Sequence, residues 1–270
     1  MKIASLQMRS TTDLKDNVRR ACDYIHQAAA EGAQLIVLPE FFNTIYFAQY
    51  WDKSYHALAE PEDGYTLETI RSAVRKAGID VIATIYEIAS PGLYFDTAFH
   101  YAASGDRLHR YRKTHPSAVA SLEKLYFRGG NHFDTYAALG WRMGIGICYD
   151  MSFPETARSL AVNGAELLIA PYATPRINMF QELLRTRAFE NQCYLVAANK
   201  VGVEGEWTFG GGSLIADPTG IVLATAGNQD ETLIFADIQR DAMTDARIAF
   251  PTRRDRRPDL YGALTAPVEA

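Results

Sequence analysis

The chain alternates between two hydrophobic periods. Residues 2–8 alternate weakly between apolar and polar positions and predict a strand. Leu14, Val18, Ala21, Ile25 and Ala28 then recur at helical spacing behind the caps offered by Thr11-Thr12-Asp13, and Gly32 closes that helix. Residues 33–38 form a short apolar run of strand length that ends at Pro39-Glu40. The chain therefore opens β-α-β, with neighbouring strands expected in one sheet. Residues 52–65 read as loop, punctuated by Pro61 and Gly64. Residues 67–77 predict a helix ended by Gly78, and the β-branched run 79–88 predicts a strand. Residues 95–103 and 108–112 flank the turn Ser104-Gly105-Asp106-Arg107, and read as a hairpin added to the same sheet.

The pattern sharpens around residues 141–155. Met143, Ile145 and Ile147 alternate with Gly144 and Gly146 at strand period. Glycines weaken a strand, so these two suggest that another backbone or a ligand comes close. Pro154 suits the first turn of a helix, which runs on to Val162 and stops near Asn163-Gly164. Cys148 thus lies where a buried strand ends and a helix is about to begin. A thiol there can be presented at a sheet edge, where backbone N–H groups and the positive helix end favour a thiolate. It can equally be a small buried hydrophobe. Further on, residues 166–170 read as a strand, 178–192 as a helix, and 193–198, 205–216, 221–225 and 232–237 as strands. Gly210-Gly211-Gly212 is not a phosphate loop, because no Gly-Lys-Ser/Thr follows.

Composition narrows the classes. The chain has 270 residues, long enough for a single large α/β or sandwich domain over 1–270, with a tail from about residue 250. Hydrophobic residues make up 48% and charged residues 22%, which is a soluble globular composition with material for a core. The net charge of −5 argues against nucleic acid as a partner. No secretory h-region and no membrane-length apolar run is evident. Three cysteines, Cys22, Cys148 and Cys193, without a signal peptide fit free thiols in a reducing cytoplasm. No CxxC or HExxH motif occurs, so no metal site is expected.

Three residues at strand ends then stand out. Glu40 follows an apolar strand and precedes the aromatic stretch Phe41-Phe42-Asn43-Thr44-Ile45-Tyr46-Phe47, which suggests a pocket rather than a plain exposed turn. Lys113 lies in Tyr111-Arg112-Lys113-Thr114-His115-Pro116, and Cys148 is the third. Lysine is ordinarily a solvated surface residue. Together, however, the three supply what thiol-dependent amide hydrolysis needs. A thiol of ordinary pKa about 8.5 has to lose its proton. A carboxylate can take that proton and later activate water. An ammonium can stabilise the thiolate or an oxyanion.

The blocks Leu38-Pro39-Glu40-Phe41, Tyr111-Arg112-Lys113-Thr114-His115 and Gly146-Ile147-Cys148-Tyr149-Asp150-Met151-Ser152-Phe153-Pro154-Glu155 resemble, in order and position, the signature blocks of the nitrilase superfamily of carbon–nitrogen hydrolases. The resemblance covers essentially the whole chain, including Ala197-Ala198-Asn199-Lys200-Val201-Gly202 and the Asp255-Arg256-Arg257-Pro258 tail. It implies a four-layer α-β-β-α sandwich and a catalytic set of Glu40, Lys113 and Cys148. It also implies a second active-site glutamate, which matches Glu123; on sequence alone Glu123 could be an ordinary helix-surface acid. The Tyr149 backbone N–H is expected beside the oxyanion, and loops around Tyr46, Phe47, Arg176 and Trp207 are expected to shape the pocket. No cofactor is implied, and a homo-oligomer is. The segments 122–127 and 173–175 and the tail 257–262 look most like N-carbamoyl amide hydrolases and aliphatic amidases. The carbamoyl-D-amino-acid branch holds a substrate carboxylate with arginines soon after the nucleophile; here Met151 and Ser152 stand there, and Arg176 is the candidate replacement. The expected substrate is a small linear amide or N-carbamoyl amine. A nitrilase acting on C≡N and a non-catalytic binding protein on the same fold are the alternatives.

Overall fold

The computed structural model describes residues 1–266. Its first half runs β1 (Lys2–Gln7), α1 (Leu14–Ala30), β2 (Leu35–Val37), α2 (Tyr65–Ala77), β3 (Asp80–Ser90), β4 (Leu93–Tyr101) and β5 (Arg107–Arg112). A one-turn helix, α3 (Glu123–Tyr126), leads to β6 (Tyr136–Ala138), β7 (Trp141–Ile145), α4 (Pro154–Val162), β8 (Leu167–Pro171), α5 (Ile177–Asn191) and β9 (Tyr194–Ala198). The hairpin β10 (Val201–Glu204) and β11 (Trp207–Gly210) precedes β12 (Leu214–Ala216), β13 (Val222–Thr225) and β14 (Thr232–Asp237). Helices α6 (Arg240–Ala249) and α7 (Thr252–Asp255) follow.

The strands form two six-stranded sheets, β14-β1-β2-β3-β4-β5 and β13-β12-β9-β8-β7-β6. Each has a parallel centre, β1-β2-β3 in one and β7-β8-β9 in the other, flanked by antiparallel strands. Strand alternation decides which side chain faces which layer. In the first sheet Ile3, Leu35, Val37 and Ile82 pack against the second sheet, while Ala4, Leu6, Ile36, Val81 and Ala83 pack against α1 and α2. On the far side of the second sheet lie Leu160 of α4 and Leu184 of α5. The result is the expected α-β-β-α sandwich. Each fully buried Ile, Leu or Val adds about 1.5–3 kcal/mol of transfer free energy, so the two apolar interfaces flanking each sheet fix the layer order.

Local signals explain the element ends. The Asp13 carboxylate caps α1 by accepting the Asp16 N–H at 3.0 Å. The α1 face Val18, Ala21, Ile25 and Ala28 is buried, at the spacing read from the sequence. The pairing of β1 with β2 and of β3 with β4 and β5 also follows the predicted order. The predicted strand over 205–216 is instead two strands in different sheets. Gly211 breaks it: φ is +64°, and its N–H is turned to the Lys200 carbonyl at 3.0 Å. Residues 53–58, predicted as loop, form a 3₁₀ helix. Strands β6 and β10 and helix α6 lack a legible pattern in the sequence. Among the described residues no helix is long and apolar enough to cross a membrane.

Candidate active site

The site is built where strands end. β2 and β5 run in the same direction, so Glu40 and Lys113 leave the first sheet at one edge. Cys148 leaves the second sheet just beyond β7. Open α/β sheets place chemistry at the carboxyl ends of strands for this topological reason. Cys148 begins a 3₁₀ turn over Cys148–Ser152 and has φ +47°, an uncommon backbone for a residue with a Cβ. That conformation turns the chain sharply from strand to helix. The first N–H groups of such a turn have no intrahelical acceptor, and Tyr149 occupies the second position. Gly144 of β7 and Gly146 just beyond it serve this turn. A Cβ on Gly146 would lie 2.8 Å from Met151 Cε, and one on Gly144 3.0 Å from Leu160 Cδ2. The close neighbours are thus side chains of the following turn and helix, not another backbone or a ligand.

The structure brings Glu40, Lys113, Glu123 and Cys148 together. Lys113 Nζ donates to Glu40 Oε1 at 2.7 Å and lies 2.8 Å from Glu123 Oε2. All three side chains are fully buried. Glu123 is therefore not a helix-surface acid. Its Oε1 accepts the Tyr46 hydroxyl at 2.5 Å, and its Oε2 accepts the Ser117 N–H at 2.7 Å. Tyr46 Oη also lies 2.8 Å from Ser121 Oγ. Burial draws the Lys113 ammonium down, but Glu123, Glu40 and the thiol outweigh it and hold Lys113 well above the usual lysine range. Burial raises the Glu123 carboxyl, against the pull of Lys113. Burial and then the Glu40 charge push the Cys148 thiol well up, with Lys113 and a hydrogen bond from the Ala173 backbone opposing. Burial and Glu40 thus work against the thiolate expected at a helix end. The helix itself is also further away than expected, because α4 starts only at Pro154.

Two further carboxyls were missed by sequence reasoning. Asp96 of β4 lies with Oδ2 3.3 Å from Lys113 Nζ, fully buried, and its carbonyl accepts the Lys113 N–H at 2.9 Å. A carboxyl at a strand position beside Thr97 was the only trace of it in the sequence. Asp150 is buried within the Cys148–Ser152 turn itself. Its Oδ1 accepts the Thr114 hydroxyl at 2.7 Å and the His115 N–H at 2.9 Å. Its Oδ2 accepts the Tyr111 hydroxyl at 2.8 Å and the Ile147 N–H at 3.0 Å.

Cys148 opens onto a cavity of about 630 Å³ whose lining includes Tyr46, Glu123, Tyr149, Ala173, Phe180 and Trp207. Trp207 stacks on Tyr46, ring centroids 4.8 Å apart. The buried Lys200–Glu204 pair sets this wall: Glu204 Oε2 accepts the Tyr46 N–H at 2.8 Å and lies 2.8 Å from Lys200 Nζ. Arg176 and Glu206 line the same cavity and are exposed. Among the described residues no cluster of His, Cys, Asp and Glu has the geometry to hold a metal ion.

The sequence profile described as carbon-nitrogen hydrolase matches residues 2–248. The chain belongs to the carbon–nitrogen hydrolase family. As a carbon–nitrogen hydrolase it is similar to omega-amidase NIT2 of Homo sapiens, with 31% identity over 96% of this chain and 96% of that protein. It is 32% identical to N-carbamoylputrescine amidase of Solanum lycopersicum, over 97% of this chain and 94% of the relative. A solved variant of the amidase from Nesterenkonia sp. AN1 superposes with a TM-score of 0.86 at 27% identity, covering 97% of this chain and 96% of that one. That structure shows the acetamide moiety of fluoroacetamide added covalently at the active-site cysteine. This carbon–nitrogen hydrolase is thus an enzyme of the amidase type, on the α/β fold its neighbours share.

Proposed function

We propose that this carbon–nitrogen hydrolase cleaves small linear amides or N-carbamoyl amines through a thioester on Cys148. The observation that carries this reading is the placement of the Cys148 thiol on the cavity wall, with the buried Lys113, Glu40 and Glu123 set beside it. Glu40 takes the thiol proton as the sulfur bonds to the carbonyl carbon, because a neutral thiol is a weak nucleophile. Charge develops on the carbonyl oxygen, which Lys113 and the Tyr149 N–H stabilise. The C–N bond then breaks, and Glu40 passes the proton to the departing nitrogen. Water gives a proton to Glu40 and its oxygen to the acyl carbon. The C–S bond breaks, the thiol regains its proton and the acid leaves. With an N-carbamoyl amine the amine departs first and the sulfur carries the carbamoyl group.

Glu123 holds Lys113 in place and, through Tyr46, lines the cavity that receives the amide. Arg176 places a guanidinium at the cavity that only a carboxylate-bearing substrate would engage, and Tyr46 forms part of the binding wall. Exposed apolar side chains on the outer helices, Val162 of α4 and Phe189 of α5, together with Phe250, favour assembly with further copies of the chain. The testing experiment measures ammonia or amine release from simple amides, N-carbamoyl amines, N-carbamoyl amino acids and nitriles. Turnover of the first two classes, with nitriles poor, is the expected result. Preference for nitriles overturns the reading. Preference for carbamoyl amino acids that is lost in Arg176→Ala moves the substrate to the carboxylate-bearing class.

A further inference from the structure

Three carboxyls, Glu40, Glu123 and Asp96, surround one ammonium, and all four side chains are fully buried. Ionising all three would leave two uncompensated negative charges out of water. Burial of an unpaired charge is costly enough that one group keeps a proton instead. The hydrogen bonds identify which. Glu123 accepts from Tyr46, Ser117 and lies against Lys113 on its two oxygens, which is the surrounding of a carboxylate. Glu40 accepts from Lys113 through Oε1. Asp96 receives no hydrogen bond on either oxygen, and its contact with the ammonium, at 3.3 Å, is the longest of the three. Glu40 Oε2 is also buried without a partner. A proton on Asp96 satisfies both residues at once.

We propose that Asp96 is a positioning residue held as the neutral acid, which donates its carboxyl proton to Glu40 Oε2 and so fixes the Glu40 carboxylate beside Lys113. The inference rests on reading Glu40 as the general base. The surrounding charges agree with it: burial first, then Glu40, raises the Asp96 carboxyl far above the usual range, with only Lys113 opposing and Glu123 adding to the rise. With Oε1 held by Lys113 and Oε2 by Asp96, the Glu40 carboxylate cannot rotate away between accepting the thiol proton and delivering it to the leaving nitrogen.

The test compares Asp96→Asn and Asp96→Ala. An asparagine amide can donate to Glu40 and leave its oxygen toward Lys113, so it reproduces the neutral acid. Asp96→Asn is expected to keep kcat within about fivefold of wild type and to leave the acid limb of the kcat/KM pH profile in place. Asp96→Ala is expected to lose about 10²-fold in kcat with little change in KM. An acid limb displaced by about a unit or more in Asp96→Asn, or a loss matching that of the alanine variant, overturns the proposal. A second reading needs no turnover. Infrared difference spectra of the resting enzymes at neutral pH should show the carbonyl stretch of a protonated carboxyl in wild type and none in Asp96→Asn. Unchanged carboxylic-acid absorption on substitution contradicts the neutral Asp96 whatever the fate of the mechanism.

Discussion

Asp150 Oδ2 accepts the Tyr111 hydroxyl at 2.8 Å, and through that bond the strand end that carries Lys113 is tied to the turn that carries Cys148. The same oxygen accepts the Ile147 N–H, one residue before Cys148. Thr114 and His115, just after Lys113, bond to the other oxygen of the same carboxylate, so Asp150 pins the two sheet ends together at the site. Tyr111→Phe removes one donor and leaves Asp150 its others, so it should cost about 1–2 kcal/mol of stability. Asp150→Ala leaves several buried donors unpaired and should cost about 2–4 kcal/mol, with a larger fall in kcat. Urea denaturation and steady-state kinetics measure the two effects; equal stability of Asp150→Ala and wild type contradicts the role.

Lys113→Arg should fail nearly as badly as Lys113→Ala, each losing about 10²–10³-fold in kcat. The ammonium is enclosed by oxygens of Glu40, Glu123 and Asp96, with no exposed surface. A planar guanidinium is broader and cannot point one compact charge at all three. Near-normal turnover of the arginine variant would remove Lys113 from the reaction.

Glu123→Gln should fold and lose about 10²-fold in activity. The glutamine must turn its NH2 toward Tyr46, Ser117 or Lys113, each of which donates to Glu123 in the wild type. Unchanged kinetics would show that the Lys113 geometry does not depend on Glu123.

Much of this site was legible because its chemistry sits where patterns change. Glu40 comes just after the apolar run Leu35-Ile36-Val37-Leu38, and Cys148 falls between a period-two strand and a proline-started helix. Lys113 comes after an amphipathic edge strand. Asp96 was not legible, because period two gives no reason to single out one polar position inside β4. Glu123 was ambiguous for the opposite reason. A one-turn helix is too short to show a face, and its burial comes from Tyr46 and Ser117, remote or out of phase in sequence. The strand break at Gly211 depends on a tertiary partner, Gln7, whose Nε2 lies 2.7 Å from where a Cβ would be. Propensity cannot anticipate such a contact.

The upward shift of the Cys148 thiol has a consequence for stability. In the unfolded chain Cys148 ionises near pH 8.5, whereas in the folded protein burial and Glu40 keep it neutral to much higher pH. Above about pH 8.5 the unfolded state therefore binds fewer protons, and stability falls as pH rises. Cys148→Ala removes this contribution, so its stability relative to wild type should rise between about pH 8 and 10, by at most about 1.4 kcal/mol per pH unit. Cys22 and Cys193, each pushed by burial to about 11, contribute alike to both proteins and cancel. A relative stability that falls over the same range would mean that the folded thiol is acidic.

The most direct test of the account is the intact mass of the enzyme after acid quench during turnover of an amide from the substrate panel. The account predicts a species heavier by the amide less ammonia, placed on Cys148 by peptide mapping, absent in Cys148→Ala and retained in Cys22→Ala and Cys193→Ala. Amide hydrolysis by the Cys148→Ala protein at the wild-type rate, or an acyl group on Cys22 or Cys193 instead, would contradict it.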